Sequence, residues 1–345
     1  MFKRNPFLHV DADRVYDPLS DRTLVPGDAD FERVRDFDPA SGGDGLEGWI
    51  VPETQDLSRH HRLRIVSLET YTTCNQKCYF CPVSIAPRED QEMPDALFHS
   101  ILEQLAPYRA TLEGVFLQSY NEPTVDRRFL DQVRALRTAG LPVAVLSNAS
   151  AFTPAKTDAI VSEGALRYLC INLSTLDRER YQKERGADHL PAVLRNVDYM
   201  KDRAVAEQMK IVVLGTGDEK HARDYDDVRA RYAGSRFEIE SHVVMDRAGW
   251  LEVGTRAPDR DKRLAGCDNM GSRPLNHLHI TPLGKCVLCC EDYDEKYVVG
   301  DLTQQTVEQV LTGDEIAKLR RWVYGIEDAP DDFMCRDCIF ARRQD

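Results

Sequence analysis

The chain has 345 residues, room for one large domain with appendages or for two, and a formal net charge of −13. Such acidity excludes a general nucleic-acid or anionic-membrane binder, since both need a basic surface, and no apolar run approaches the length of a membrane span. The start, Met1-Phe2-Lys3-Arg4-Asn5-Pro6-Phe7-Leu8-His9-Val10, lacks the long apolar core of a signal peptide, so a cytoplasmic protein is expected.

Residues 1–62 are acidic and turn-rich, with short apolar pieces at Val15-Tyr16 and Trp49-Ile50-Val51. They read as an N-terminal extension, a small hairpin and a loop packed on the main domain. The segment is short and glycine-rich for a leader-peptide-binding module. From Arg64 onward, strand-like and helix-like stretches alternate. Strands are expected at 64–69, 113–119, 142–147, 167–174, 209–214 and 236–244, and helices at 94–106, 124–139, 154–164, 189–204 and 219–233. Pro94 suits a first helical turn, and Gly140 and Gly164 lie where helices should stop. Leu97, Ile101, Leu102 and Leu105 form one apolar stripe and Phe129, Val133 and Leu136 another; such stripes are core. Strands alternating with helices imply a parallel sheet with helices outside, and periodicity alone does not choose between a doubly wound and a barrel-like form. In either form, ligands sit at the carboxyl ends of the strands.

The ten cysteines of a reducing compartment read as metal ligands or reactive thiols rather than disulfides. Cys74, Cys78 and Cys81 form a CxxxCxxC array directly after the first strand. Three thiolates on one short loop can hold three irons of a cubane and leave the fourth open to a small molecule. A zinc site is the alternative; it needs a fourth ligand, which His60 or His61 could supply. After the second strand comes Gln118-Ser119-Tyr120-Asn121-Glu122-Pro123. The fourth strand ends at Ser174 and is followed by Tyr181-Gln182-Lys183-Glu184-Arg185-Gly186, while Cys170 reads as a small buried hydrophobe. In the tail, Cys267 precedes a hairpin from Leu278 to Cys290 with its turn at Pro282-Leu283-Gly284-Lys285. Helices at Val307–Leu311 and Asp314–Val323 follow, and the chain closes on Cys335-Arg336-Asp337-Cys338.

The cysteine spacing, with Phe80 before the last cysteine, resembles the radical S-adenosylmethionine (radical SAM) superfamily. The resemblance runs over residues 64–345. It favours an open, partial (β/α)6 barrel over a doubly wound sheet. It also implies SAM chelated to the open iron and cleaved to a 5′-deoxyadenosyl radical, with an electron donor of flavodoxin or ferredoxin type. Residues 118–123 resemble the Gly-Gly-Glu-Pro motif that holds the SAM amino group, with Tyr120 and Asn121 in place of the glycines and Glu122 retained. By the same resemblance Ser174 contacts the ribose, Arg185 pairs with the SAM carboxylate through its two-pronged fork, and Asn148 matches a common family asparagine. The tail resembles the SPASM/twitch extension. Full SPASM tails carry one more cysteine and a second auxiliary cluster, so one cluster is implied here, on Cys267, Cys289, Cys335 and Cys338. On the strand expected here, Cys286 and Cys290 share one face and Cys289 takes the other; only one face can meet the cluster, which makes Cys286 the alternative ligand.

These expectations divide the chain into an extension (1–62), a radical SAM core (63–250) and an auxiliary-cluster domain (251–345), with two 4Fe-4S clusters. The expected activity is hydrogen-atom abstraction from a peptide or from an amino-sugar or cyclitol, giving net oxidation or crosslinking. Redox-neutral epimerisation would need a thiol hydrogen donor, for which Cys170, Cys286 and Cys290 are the spare candidates. A non-catalytic iron–sulfur or zinc partner-binding protein is the rival from another class. Tyr71, His242, Asp246, Arg247 and Trp250 are candidates to line the substrate site.

Overall fold

The computed structural model of the protein describes residues 1–344. Six parallel strands form the core of the main sheet: β1 (Ile65–Leu68), β2 (Gly114–Phe116), β3 (Val143–Ser147), β4 (Leu166–Asn172), β5 (Ala206–Gly215) and β6 (Glu238–Val243). Each pairs with the next, and among the described residues β6 does not close back on β1, so the barrel is open and partial. Side chains alternate across each strand. On β4, Leu169 and Ile171 enter the apolar core, while Tyr168 lines the lumen and Cys170 and Asn172 share its face.

The helices α1 (Asp95–Gln104), α2 (Phe129–Thr138), α3 (Pro154–Glu163), α4 (Arg178–Arg185), α5 (Leu190–Met200) and α6 (Glu219–Arg231) connect the strands. Their ends follow capping chemistry: Thr153, Asp177 and Asp218 each accept a backbone N–H of the first turn of α3, α4 and α6. Two departures from the expected elements have local causes. The helix expected from 124 starts at Phe129, because Glu122 and Pro123 open a separate short turn over Pro123–Val125. The unexpected α4 is a nearly all-charged octet, RERYQKER, whose burial rests on Tyr181 and Arg185.

The sheet does not end at β1. Strand β7 (His277–Ile280) pairs in parallel with β1, and β8 (Lys285–Val287) and β9 (Val298–Asp301) follow antiparallel, giving the order β6-β5-β4-β3-β2-β1-β7-β8-β9. The tail hairpin therefore extends the barrel sheet. Its turn needs a left-handed residue, and Gly284 supplies it with φ of +84°. Helices α7 (Val307–Leu311) and α8 (Asp314–Val323) cover this extension, α7 opening on a reciprocal Thr306/Gln309 capping box. Leu264–Cys267 pairs with Ala341–Arg343 at the far end of the tail.

Residues 1–62 hold a small core of their own around Phe31, Val34, Leu46 and Trp49, with Phe2–Arg4 paired to Ile50–Pro52 and a three-stranded meander over His9–Leu24. They brace the tail. His9 Nδ1 lies 3.1 Å from Asp268, next to Cys267, and Arg342 bonds both Asp11 and Asp268. The buried Arg320 of α8 donates to the carbonyls of Ser58, Pro274 and Leu311, tying extension and tail together. Among the described residues no helix is long and apolar enough to cross a membrane.

Candidate active site

Cys74, Cys78 and Cys81 lie on the loop that leaves the carboxyl end of β1. The C-terminus of α4 clasps this loop: the N–H groups of Lys77 and Tyr79 donate to the carbonyls of Arg185 and Glu184 at 2.8 and 3.0 Å. Gly186, with φ of +66°, permits the approach, since a Cβ there would stand 3.0 Å from the Lys77 side chain. Burial pushes the Cys74 thiol up to about 12 and raises Cys81; the N–H groups of Gln76 and Val83, bonded to these sulfurs, pull the other way. Such thiols stay protonated until a metal takes the proton's place.

Arg185 is 1% exposed and stands at the centre of the loop. It donates to Asn172 Oδ1 at 2.8 Å, to Ser174 Oγ and to Cys78 Sγ at 3.5 Å, with its guanidinium 4.8 Å from the Phe80 ring centre. Its Nε is shut off from solvent and has no partner. A charged fork with a free donor, beside three thiols supplied with N–H donors, fits a carboxylate-bearing cofactor next to an iron–sulfur cluster.

The Glu122 carboxylate is 2% exposed and accepts from Thr124 N and Oγ1, Ser147 Oγ and Asn148 N at 2.5–3.1 Å. It straps the end of β3 to the loop after β2. Asn121 Oδ1 accepts from Ser119 N, and Glu122 N donates to Thr73 O, so the 118–122 loop is held against the cysteine loop. Asn148 Nδ2 donates to Asn75 Oδ1 at 2.9 Å on the same loop. Tyr120, at the first glycine position of the family motif, reaches across to the tail: its hydroxyl donates to the Cys290 carbonyl and its ring packs on Tyr293 at 4.8 Å. Arg88 lies over both rings and forms an ion pair with Glu69.

In the tail, Cys267, Cys289, Cys335 and Cys338 line one buried cavity. Burial raises the thiols of Cys267, Cys335 and Cys338, the last to about 12. Backbone N–H groups of Arg273 and Asn269 bond Cys267, and that of Phe340 bonds Cys338. Among the described residues no three His, Cys, Asp or Glu side chains converge tightly enough for a single ion.

Cys286, the alternative ligand, does not line the four-cysteine cavity. It is fully buried on β8, opposite Ile280 and Gly300, and belongs to the apolar core. The strand stops at Val287, so the expected alternation does not reach Cys289 and Cys290, which follow the bend at Leu288. Cys286 does not line the lumen cavity either. Cys170 is buried on β4 between Leu146 and Lys210, and Cys290 lines the lumen, its thiol 3.5 Å from Glu291 Oε1.

The lumen holds a cavity of about 690 Å³. Ser67, Gln118, Tyr168, Gln208 and Lys210 present polar groups to it, and Ile65, Phe116 and Leu146 apolar ones. Of the five candidate lining residues, Arg247 reaches this cavity, where it pairs with Glu291 at 3.3 Å. Tyr71 is instead bridged to Glu92, His242 is exposed and paired with Glu240, Asp246 is buried in its own turn, and Trp250 bonds Asp294 and packs on Tyr293. Arg273 escaped the sequence reading, yet it lines both the lumen and the four-cysteine cavity.

A sequence model of the radical SAM superfamily matches residues 68–228, and one of an iron-sulfur cluster-binding (SPASM) domain matches residues 267–339, together more than half of the chain. The chain belongs to the radical SAM superfamily, carries a SPASM-type domain, and is an enzyme that uses SAM and iron–sulfur chemistry. It is similar to the S-adenosyl-L-methionine-dependent 2-deoxy-scyllo-inosamine dehydrogenase of Niallia circulans, with 22% identity over 278 residues, 79% of this chain and 92% of that protein. Two solved structures share the fold. BtrN in complex with AdoMet and 2-DOIA aligns with a TM-score of 0.53 at 18% identity, over 79% of this chain and 92% of that one. Streptococcus suis SuiB bound to precursor peptide SuiA aligns with a TM-score of 0.61 at 12% identity, over 93% and 90%.

Proposed function

We propose that the protein oxidises a small polar natural product, an amino-cyclitol or amino-sugar, and holds two 4Fe-4S clusters, one on Cys74, Cys78 and Cys81 and one on Cys267, Cys289, Cys335 and Cys338. The observation that carries this reading is the lumen cavity, with its several hydrogen-bonding walls, which meets the four-cysteine cavity at Arg273. Its volume lies in the usual range for small-molecule sites. When bound, the first cluster and SAM supply a 5′-deoxyadenosyl radical that takes a hydrogen atom from a C–H bond.

The chain's residues do the rest. Arg185 offers its free donor to the SAM carboxylate, Ser174 turns to the ribose, and Phe80 backs the guanidinium. The 119–121 backbone, held in place by Asn121 and Glu122, presents carbonyls to the ammonium. Ser67, Gln118, Tyr168 and Lys210 bond hydroxyl and amino groups of the substrate, and the Tyr120–Tyr293–Arg88 stack excludes water above it. Residues 1–62, 63–250 and 251–345 act as brace, core and auxiliary domain. A cytoplasmic flavodoxin or ferredoxin delivers the reducing electron.

The test is anaerobic turnover of the reconstituted, reduced protein with 2-deoxy-scyllo-inosamine and related amino-cyclitols in heavy water. Matched yields of 5′-deoxyadenosine and of product lighter by two hydrogens support the reading; turnover of peptides alone would overturn the substrate class. A second reading, epimerisation, is favoured by Cys290, the one spare thiol among the described residues in the wall of the lumen cavity; Cys170, on the same strand face as Tyr168, is buried and not part of that wall. It requires an unchanged formula with one solvent deuterium, abolished in Cys290→Ala.

A further inference from the structure

We propose that Arg273 sets the redox poise of the auxiliary centre and makes it a ready electron acceptor. The inference rests on the four-cysteine ligand set given above. Arg273 opens the short helix Arg273–Asn276, and its side chain belongs to the wall shared by the four-cysteine cavity and the lumen. Arg247, which also lines the lumen, forms an ion pair with Glu291, a carboxylate in the wall of the four-cysteine cavity, so those two charges offset one another and leave Arg273 as the added positive charge. Arg273 has no carboxylate at ion-pair distance among the described residues. One nitrogen donates to His279 Nε2 at 3.3 Å, another approaches Met270 Sδ at 3.9 Å, and Nε has no partner. His279 is buried, and burial together with the arginine's own charge keeps it neutral, an acceptor that leaves the positive charge undiminished.

A cluster held by four thiolates gains negative charge on reduction, so an unpaired positive charge beside it favours the reduced state. Net charge and hydrogen bonds to sulfur are the protein's levers on such potentials. At an effective dielectric of about 20, a unit charge within about 12 Å changes the reduction equilibrium by about tenfold or more. Arg273 shares a cavity with all four cysteines, well inside that range. Held by Cys267, Cys289, Cys335 and Cys338, such a centre would accept the one electron left on the substrate once its hydrogen atom had passed to the deoxyadenosyl carbon, and the matching proton would leave the substrate. The Arg273 backbone N–H on Cys267 survives any substitution, so variants isolate the side chain.

The experiment uses the full chain with Cys74, Cys78 and Cys81 replaced by Ala, so that only the auxiliary centre titrates. Potentiometric titration followed by electron paramagnetic resonance is run on this background and with R273M, R273Q and R273K added. R273M and R273Q should lower the reduction equilibrium constant about tenfold, about 59 mV for one electron, and R273K should stay within about threefold of the parent. A parental potential in R273M or R273Q with full iron overturns the proposal; should R273M fail to fold, R273Q decides. Iron near zero in the parent background overturns the ligand set instead, before any Arg273 variant is read.

Discussion

Replacing Arg185 by Ala tests whether the buried guanidinium binds SAM or merely props the cysteine loop. The side chain donates to Asn172 and Ser174, touches Cys78 and rests on Phe80, while its Nε is free. A hydrogen bond to a charged group contributes about 1.5–3 kcal/mol. Losing one such bond to the SAM carboxylate should raise the Kd for SAM by about 10- to 150-fold. Arg185→Lys keeps the charge without the fork and should fall between. The assay is anaerobic calorimetric SAM binding on reconstituted protein, with iron counted in the same sample. The α4 carbonyls that clasp the loop are backbone groups, so iron should stay near the wild-type level in the Ala variant. A Kd within about threefold of wild type at full iron, or iron loss with unchanged affinity per remaining cluster, would refute the carboxylate role and leave Arg185 as a scaffold.

Cys289→Ala should lose about half the iron of a two-cluster protein. Cys286→Ala, with its thiol sealed in the core, should keep all of it and lose only about 1 kcal/mol of stability; iron and sulfide analysis reads the contrast. Arg320→Met should destabilise the protein by about 3 kcal/mol or more, because three buried carbonyls lose their donor at about 1–3 kcal/mol each, partly offset by removal of a guanidinium that burial holds down to about 9; chemical denaturation measures it. Iron loading should strengthen as pH rises from about 7 to 9, since burial holds Cys74 and Cys338 at about 12 and each proton must leave before iron binds. Loading that does not change with pH would contradict that sign.

The cysteine loop and the alternating strands were legible because their signals are local: ligand spacing in one case, period-two and helical apolar patterns in the other. Helix α4 was not, for its octet has no apolar stripe and is recognisable only by Asp177 at its start and Gly186 at its end. The pairing of β7 with β1 joins two four-residue strands about 200 residues apart, and nothing in either announces the other. The family motif marks Tyr120 as a departure from glycine; only the structure gives the departure a purpose, in the hydroxyl that reaches Cys290. Extrapolating the strand past Val287 set Cys286 against Cys289 on opposite faces, an alternation that the bend at Leu288 interrupts. Arg273 carries no sequence signal, being one arginine among many until the two cavities meet at it.

The join between β1 and β7 has a mechanical consequence. The loop bearing Cys74 leaves the end of one strand, and Cys289 follows the hairpin whose first strand lies alongside in parallel register, Ile65 opposite His277 and Leu68 opposite Ile280. Strand register comes in whole residues of about 3.3 Å, and a slip by one turns every side chain to the opposite face. The offset between the start of the Cys74 loop and the hairpin that leads to Cys289 is therefore quantised rather than adjustable. The barrel's own free margin lies at the other end of this run, where β6 has no further strand beside it among the described residues, so a change in width there would leave that offset untouched.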